Sequence, residues 1–209
     1  MTAKNNRFTP TELRTIHNKD FFYTKASATE KIDSIFAEVR DEIKSEIKKN
    51  KLVFPKEVDV STGKIFRGES YLGLPYLVLD YPKYFSKVSV CSCRTMFWWG
   101  NFFNFTLHLE GTALEQKRSL LINNWKNFRK KNIYICVNKD PWQYFYNKEN
   151  YMQVDRFTES ELKKIFISKK FIKLSRKIEV LEYKKLNRFC KESFNMITSS
   201  LFCQGHPTE

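Results

Sequence analysis

Glycine and proline are scarce, six of each in 209 residues, too few for a collagen-like repeat or a Pro/Gly-rich linker. No apolar run approaches the roughly 20 residues that a membrane-spanning helix needs. The nearest, residues 96–109, is short and interrupted by Gly100, Asn101, Asn104 and His108. The opening Met1-Thr2-Ala3-Lys4-Asn5-Asn6-Arg7 is polar and leads into no apolar segment of a secretory signal. Walker A, GxGxxG, GxSxG, HExxH and EF-hand patterns are all missing. Their absence lowers the case for the common nucleotide, serine-hydrolase and metallopeptidase chemistries, although a spatially assembled site leaves no local trace. The five cysteines, Cys91, Cys93, Cys136, Cys190 and Cys203, cannot all pair. Reduced, buried thiols and a cytoplasmic setting are therefore expected. Cys91-Ser92-Cys93 misses the usual zinc half-site spacing, and with His108 it has no second ligand pair. Neither a metal nor a cofactor is expected.

What the chain does have is apolar mass and positive charge. It is 42% hydrophobic and 16% aromatic, enough to build a core and to exclude wholesale disorder. The formal charge of +14 favours a polyanionic or phosphate-bearing partner. Lysine supplies 27 of the 37 basic residues, and asparagine, phenylalanine and tyrosine are also abundant. These are residues that AT-rich codons specify, so codon usage is a second source of the same charge. Residues 163–191 hold 11 Lys/Arg against Glu179 and Glu182. A second basic knot joins Lys126, Arg129, Lys130 and Lys131. Each is either an anion-binding surface or a solvated helix face.

The order of elements follows from caps and periodicity. Thr9-Pro10-Thr11-Glu12 combines a capping box with proline at the first helical position and predicts a short helix to about Asn18. Ser27 and Glu30 repeat that spacing ahead of Ile32, Ile35, Phe36, Val39, Ile43 and Ile47, an apolar stripe at helical intervals. Residues 52–68 suggest a connection. Residues 76–81 suggest a strand of about six residues, bounded by Pro75 and Pro82 and covered on both faces. Residues 96–109 form either one strand bulged at Gly100 or a hairpin turning at Gly100-Asn101. A third strand is expected over residues 133–137. Helices are expected over residues 114–131, from the capping box Thr158–Glu161 to about Ser168, and over residues 184–199, while residues 178–183 are open between strand and helix start. The sum is one α+β domain over residues 1–209, its helices packed on a mostly antiparallel sheet and residues 203–209 fraying.

Several landmarks are colinear with a known pattern. Phe8-Thr9-x-x-Glu12-Leu13, Arg67-Gly68, Leu74-Pro75-Tyr76 and the aromatic run 97–109 with Glu110 resemble the YktB-like family of uncharacterised bacterial proteins. Tyr76 stands where that family has histidine, and its Lys-His-x-Arg-Arg stretch has no counterpart near residues 52–65. The resemblance implies a single α+β domain with no established activity, and carries over Arg67 as a polar residue.

Candidate site residues come from alternation and charge. As a strand, residues 104–109 put Asn104, Thr106 and His108 on one face and Phe105, Leu107 and Leu109 on the other. The polar row is either a pocket floor or a solvent-facing surface. Arg94, set beside Trp98 or Trp99, would form a stacked cationic site for an anionic or planar ligand, or else a structural ion pair. The aromatic block Phe97, Trp98, Trp99, Phe102, Phe103 and Phe105 fits a core, since no basic residue is interleaved as a nucleic-acid stacking platform would require. Glu69, Asp80 and Glu110 show no pairing in their spacing. His17 ends a polar helix, and His206 sits in the tail. The leading expectation is a binding protein for an anionic partner, nucleic acid or a phosphate-bearing ligand. The alternatives are a small-molecule enzyme with Arg67, Arg94 and His108 around a sheet-floor pocket, or an interaction scaffold without a ligand.

Overall fold

The computed structural model describes residues 6–203. Thr9 and Glu12 exchange their capping-box bonds, and helix α1 (Pro10–His17) begins there. Asn18 follows α1 and caps α2 (Lys19–Lys49), its side-chain oxygen accepting from the Phe21 N–H at 3.0 Å. The long helix therefore opens well before Ser27. Ser27 and Glu30 lie inside it, because Asn18 offers an earlier cap and no glycine or proline intervenes.

The chain then enters strands β1 (Lys64–Tyr71), β2 (Leu74–Phe85), β3 (Ser89–Trp98) and β4 (Phe102–Gly111). Helix α3 (Thr112–Asn123) follows, then β5 (Tyr134–Cys136), β6 (Tyr151–Gln153), α4 (Glu159–Ser168), β7 (Phe171–Glu179) and α5 (Leu186–Phe202). All neighbouring strands pair antiparallel in the order β1-β2-β3-β4-β7-β5-β6. This is an α+β fold.

Several boundaries differ from expectation for local reasons. Gly100, at φ +73°, turns a hairpin in which Trp98 pairs with Phe102, which settles the choice between hairpin and bulge. β2 is longer than the segment between its prolines, and Pro82 is tolerated where the pairing shifts register between Asp80 and Lys83. Part of the supposed connection, from Lys64, is the edge strand β1. The predicted helix over residues 114–131 stops at Asn123 and gives way to a 3-10 turn, Trp125–Phe128. Within the basic stretch, residues 171–179 are a strand between β4 and β5, not a helix face. Residues 178–183 are the end of β7 and the start of a 3-10 turn, Val180–Lys185. Cys203 is not frayed: it bridges to Leu52. His206 and the rest of the tail lie outside the described residues.

Sheet alternation divides the core. Leu77, Leu79, Phe97, Phe103, Phe105, Leu107, Ile172 and Leu174 face the helices, with Ile32, Phe36, Val39 and Ile43 of α2 packed toward β2, α3 toward β3 and β4, and α5 toward β4 and β7. Helix α5 lies parallel to α2, with the pairs Asn187–Glu38, Lys191–Glu42 and Asn195–Glu46 repeating every four residues. At the end of β4, Gly111 caps α3 at φ +60°, and a Cβ there would stand 1.9 Å from the Val88 carbonyl oxygen. Both the backbone and the neighbouring strand forbid a side chain. Gly111→Ala is expected to lower stability by at least about 2 kcal/mol, seen as a lower denaturation midpoint; an unchanged midpoint would contradict this packing.

Candidate functional site

The opposite face of the sheet carries polar side chains in register. Asp80, Arg94, Thr106, Ser175 and Tyr134 occupy one row across β2, β3, β4, β7 and β5. Ser92, His108 and Lys173 form the next. The alternation that separates Thr106 and His108 from Phe105 and Leu107 is as expected, but the row does not face solvent. Asn104, Thr106, His108, Lys173 and Ser175 are all buried.

What buries them is residues 137–150, a connection without helix or strand between β5 and β6. The polar rows hold this segment down. The Arg94 guanidinium donates to both Asp80 oxygens at 2.7 and 2.8 Å and to the Tyr144 hydroxyl at 2.5 Å. Lys173 donates to the carbonyls of Pro141 and Gln143 at 2.7 and 2.8 Å, and its ammonium lies 3.9 Å from the centre of the Tyr144 ring. Thr106, Ser175 and Tyr146 form a hydroxyl chain with links of 2.6 and 2.5 Å. From β1, the Tyr71 hydroxyl accepts from the backbone N–H groups of Tyr144 and Phe145.

Burial sets the electrostatics of these rows. Desolvation lowers the Lys173 ammonium from its ordinary 10.5 to about 7, and nearby Arg94 pushes it the same way. Desolvation also lowers His108, outweighing its 3.2 Å contact with Glu110, so the neutral imidazole donates there. Burial would lower Arg94 too, but its bonds to Asp80 and Tyr144 outweigh that and hold the guanidinium charged.

The fastened segment builds a pocket of about 320 Å³ at the edge of the sheet. Its walls are Tyr134, Tyr146 and Tyr151, the last two rings stacked 4.7 Å apart. Lys148 from the segment, Arg156 just after β6 and Lys177 of β7 bring three cations to it, with Asn147 and Gln153 as neutral polar groups. Gln153 donates to the Tyr134 hydroxyl at 3.3 Å. Lys177 contacts Glu179 at 3.3 Å. Lys148 and Arg156 have no acidic partner among the described residues.

The residues singled out from sequence divide between the two faces. Arg94, Trp98 and His108 share the polar face, while Arg67 sits on the helix side of β1 and pairs with Asp33 of α2. Trp99 also faces the helix side and packs against Phe97. These five do not line one cavity. Arg94 is ringed by Phe66, Phe85, Trp142 and Tyr144 and not by Trp98 or Trp99. Trp98 is buried, its indole N–H donating to the Tyr71 carbonyl. Cys91 and Cys93 face the helices, away from His108, and burial raises both thiols. Glu69 pairs with Lys25.

The mid-chain basic knot lies against the turn that carries Arg156. The Lys130 N–H donates to Asp155, and the Arg129 guanidinium donates to the Phe157 carbonyl. Lys126 and Lys130 are exposed, whereas Arg129 and Lys131 are half-buried. The pocket cations Lys148, Arg156 and Lys177 were not singled out. The available signal was the alternation Phe171, Lys173, Ser175, Lys177, which marks one face of a strand inside a stretch whose charge suggests a helix. No family model, curated protein or solved structure matches the chain.

Proposed function

We propose that this protein binds a phosphate-bearing ligand of about nucleotide size in the pocket walled by Tyr134, Tyr146 and Tyr151. One observation carries the reading: Lys148 and Arg156, on either side of β6, converge with Lys177 of β7 on one tyrosine-walled cavity, and two of them lack an acid to neutralise them among the described residues. Unpaired cations at a concave site favour an anion, and guanidinium matches phosphate geometry in particular. A volume of about 320 Å³ falls at the small end of ligand sites, and the half-buried Tyr134 and Tyr146 give it an aromatic wall. The neighbouring Lys126 and Lys130 extend the positive field beyond the cavity.

Titration calorimetry of the full chain with inorganic phosphate, pyrophosphate, a mononucleotide and a short single-stranded oligonucleotide tests this. Binding should weaken as salt rises. Arg156→Ala should cost about tenfold or more in affinity, the scale of one charge-assisted hydrogen bond. Because Arg156 is exposed, its melting temperature should stay at the wild-type value. The reading fails if none of the four probes binds at low salt, or if Arg156→Ala and Lys148→Ala bind as wild type does.

A further inference from the structure

A second, apolar opening lies on the other side of the sheet. Helix α5 begins late: its first link to α2 is Asn187 to Glu38. Among the described residues the preceding turns of α2 have no α-helix beside them, only the 3-10 turn that carries Leu181. Ala28, Ile32 and Ile35 of α2, Phe97 and Trp99 at the hairpin, and Leu181 of the 3-10 turn line the resulting groove of about 660 Å³. Leu181 is 94% exposed. Ahead of this groove, in α1 and the first turn of α2, the chain carries apolar side chains that the described residues leave about half exposed or more. Leu13 and Ile16 of α1 are more than half exposed, no residue of α1 is buried, and Phe21, Phe22 and Tyr23 continue the exposed series.

Arm and groove fit each other, but not within one chain. Helix α1 has eight residues and spans about 12 Å. Ala28 lies ten residues beyond Asn18, about 15 Å along a continuous helix. Folded back at Asn18, α1 ends short of the groove, and Leu13 and Ile16 sit on its near half. Across two chains the match is close. Residues 28–35 offer about 10 Å of open helix, nearly the length of α1. Charge permits the approach: from Phe8 to Thr24, Glu12 and Asp20 offset Arg14 and Lys19, leaving the arm formally neutral in a chain of +14. The groove rim likewise carries one charge of each sign, Lys31 and Glu179.

We infer that the occupant of this groove is α1 of a second copy of the chain, the two copies exchanging arms about a two-fold axis. Each copy then buries one apolar arm and fills one apolar groove, a reciprocal contact that closes as a dimer.

Sedimentation equilibrium of the full chain should give twice the 25.0 kDa chain mass. Leu13→Asp on the arm and Leu181→Asp in the groove should each weaken dimerisation by at least about tenfold. Both side chains are exposed, so neither melting temperature of the separated chains should fall. An equimolar mixture of the two variants should regain partial association, since one intact arm then meets one intact groove. Four results would overturn the inference: a wild-type monomer at the highest soluble concentration, a dimer indifferent to either substitution, a mixture no more associated than its components, or a monomer whose tryptophan emission responds to dodecanoate, which would assign the groove to a small apolar ligand.

Discussion

Asp80→Ala should be among the most damaging single substitutions in this protein, lowering unfolding free energy by about 3–5 kcal/mol. Asp80 is 3% exposed and holds the Arg94 guanidinium through two bonds. Removing the carboxylate leaves a buried cation among the rings of Phe66, Phe85, Trp142 and Tyr144, whose faces replace only part of a charge-assisted pair. The loss belongs to the uncompensated charge more than to the pair itself. Asp80→Ala combined with Arg94→Met should therefore be less destabilised than Asp80→Ala alone, which chemical denaturation of the two variants would measure. Equal or greater loss in the double variant would mean that Asp80 acts through packing. Arg94 also fastens Tyr144, so the single variant should loosen residues 137–150 and speed their amide exchange.

Much of the fold was legible because periodicity reports burial when apolar residues do the burying. The α2 stripe from Ile32 to Ile43 and the alternation from Phe103 to Leu109 both place the core correctly. β7 was illegible for the opposite reason. Its alternate residues Lys173, Ser175 and Lys177 look like a solvent face, yet Lys173 and Ser175 are buried because polar atoms of residues 137–150 meet them. A buried polar row has the same composition as an exposed one, and only the partner distinguishes them. The same limit hid the candidate pocket. Lys148 and Arg156 flank β6 only eight residues apart, but Lys177 lies 21 residues further on and joins them only because β7 inserts between β4 and β5. Arg67 drew attention beside Gly68, but strand alternation turns it toward α2 and Asp33.

Lys173 ties this hidden row to pH. Its folded value is depressed to about 7 from an ordinary 10.5, so between those limits the unfolded chain holds the proton that the folded chain has released. Stability attributable to Lys173 therefore rises with pH from about 7 toward 10.5, and below 7 the penalty for burying the ammonium is fully present. The slope inside the window reaches about 1.4 kcal/mol per pH unit, so a scan from pH 7 to about 8.5 should gain about 1–2 kcal/mol. His108, also depressed by burial, acts lower: stability falls as pH drops below about 6.5. Above about 9 the buried thiols Cys91 and Cys190, raised by desolvation to about 12, oppose the trend, because the unfolded chain then loses their protons first. Lys173→Met should remove the rise between pH 7 and 8.5 and leave the Pro141 and Gln143 carbonyls without their donor, a loss of about 1–3 kcal/mol. The gap between wild type and variant should thus widen as pH increases, measured by urea unfolding at several pH values. A gap that stays constant across that range would show that Lys173 keeps its proton in the fold, and that the two carbonyls together with the Tyr144 ring stabilise the ammonium as well as water does.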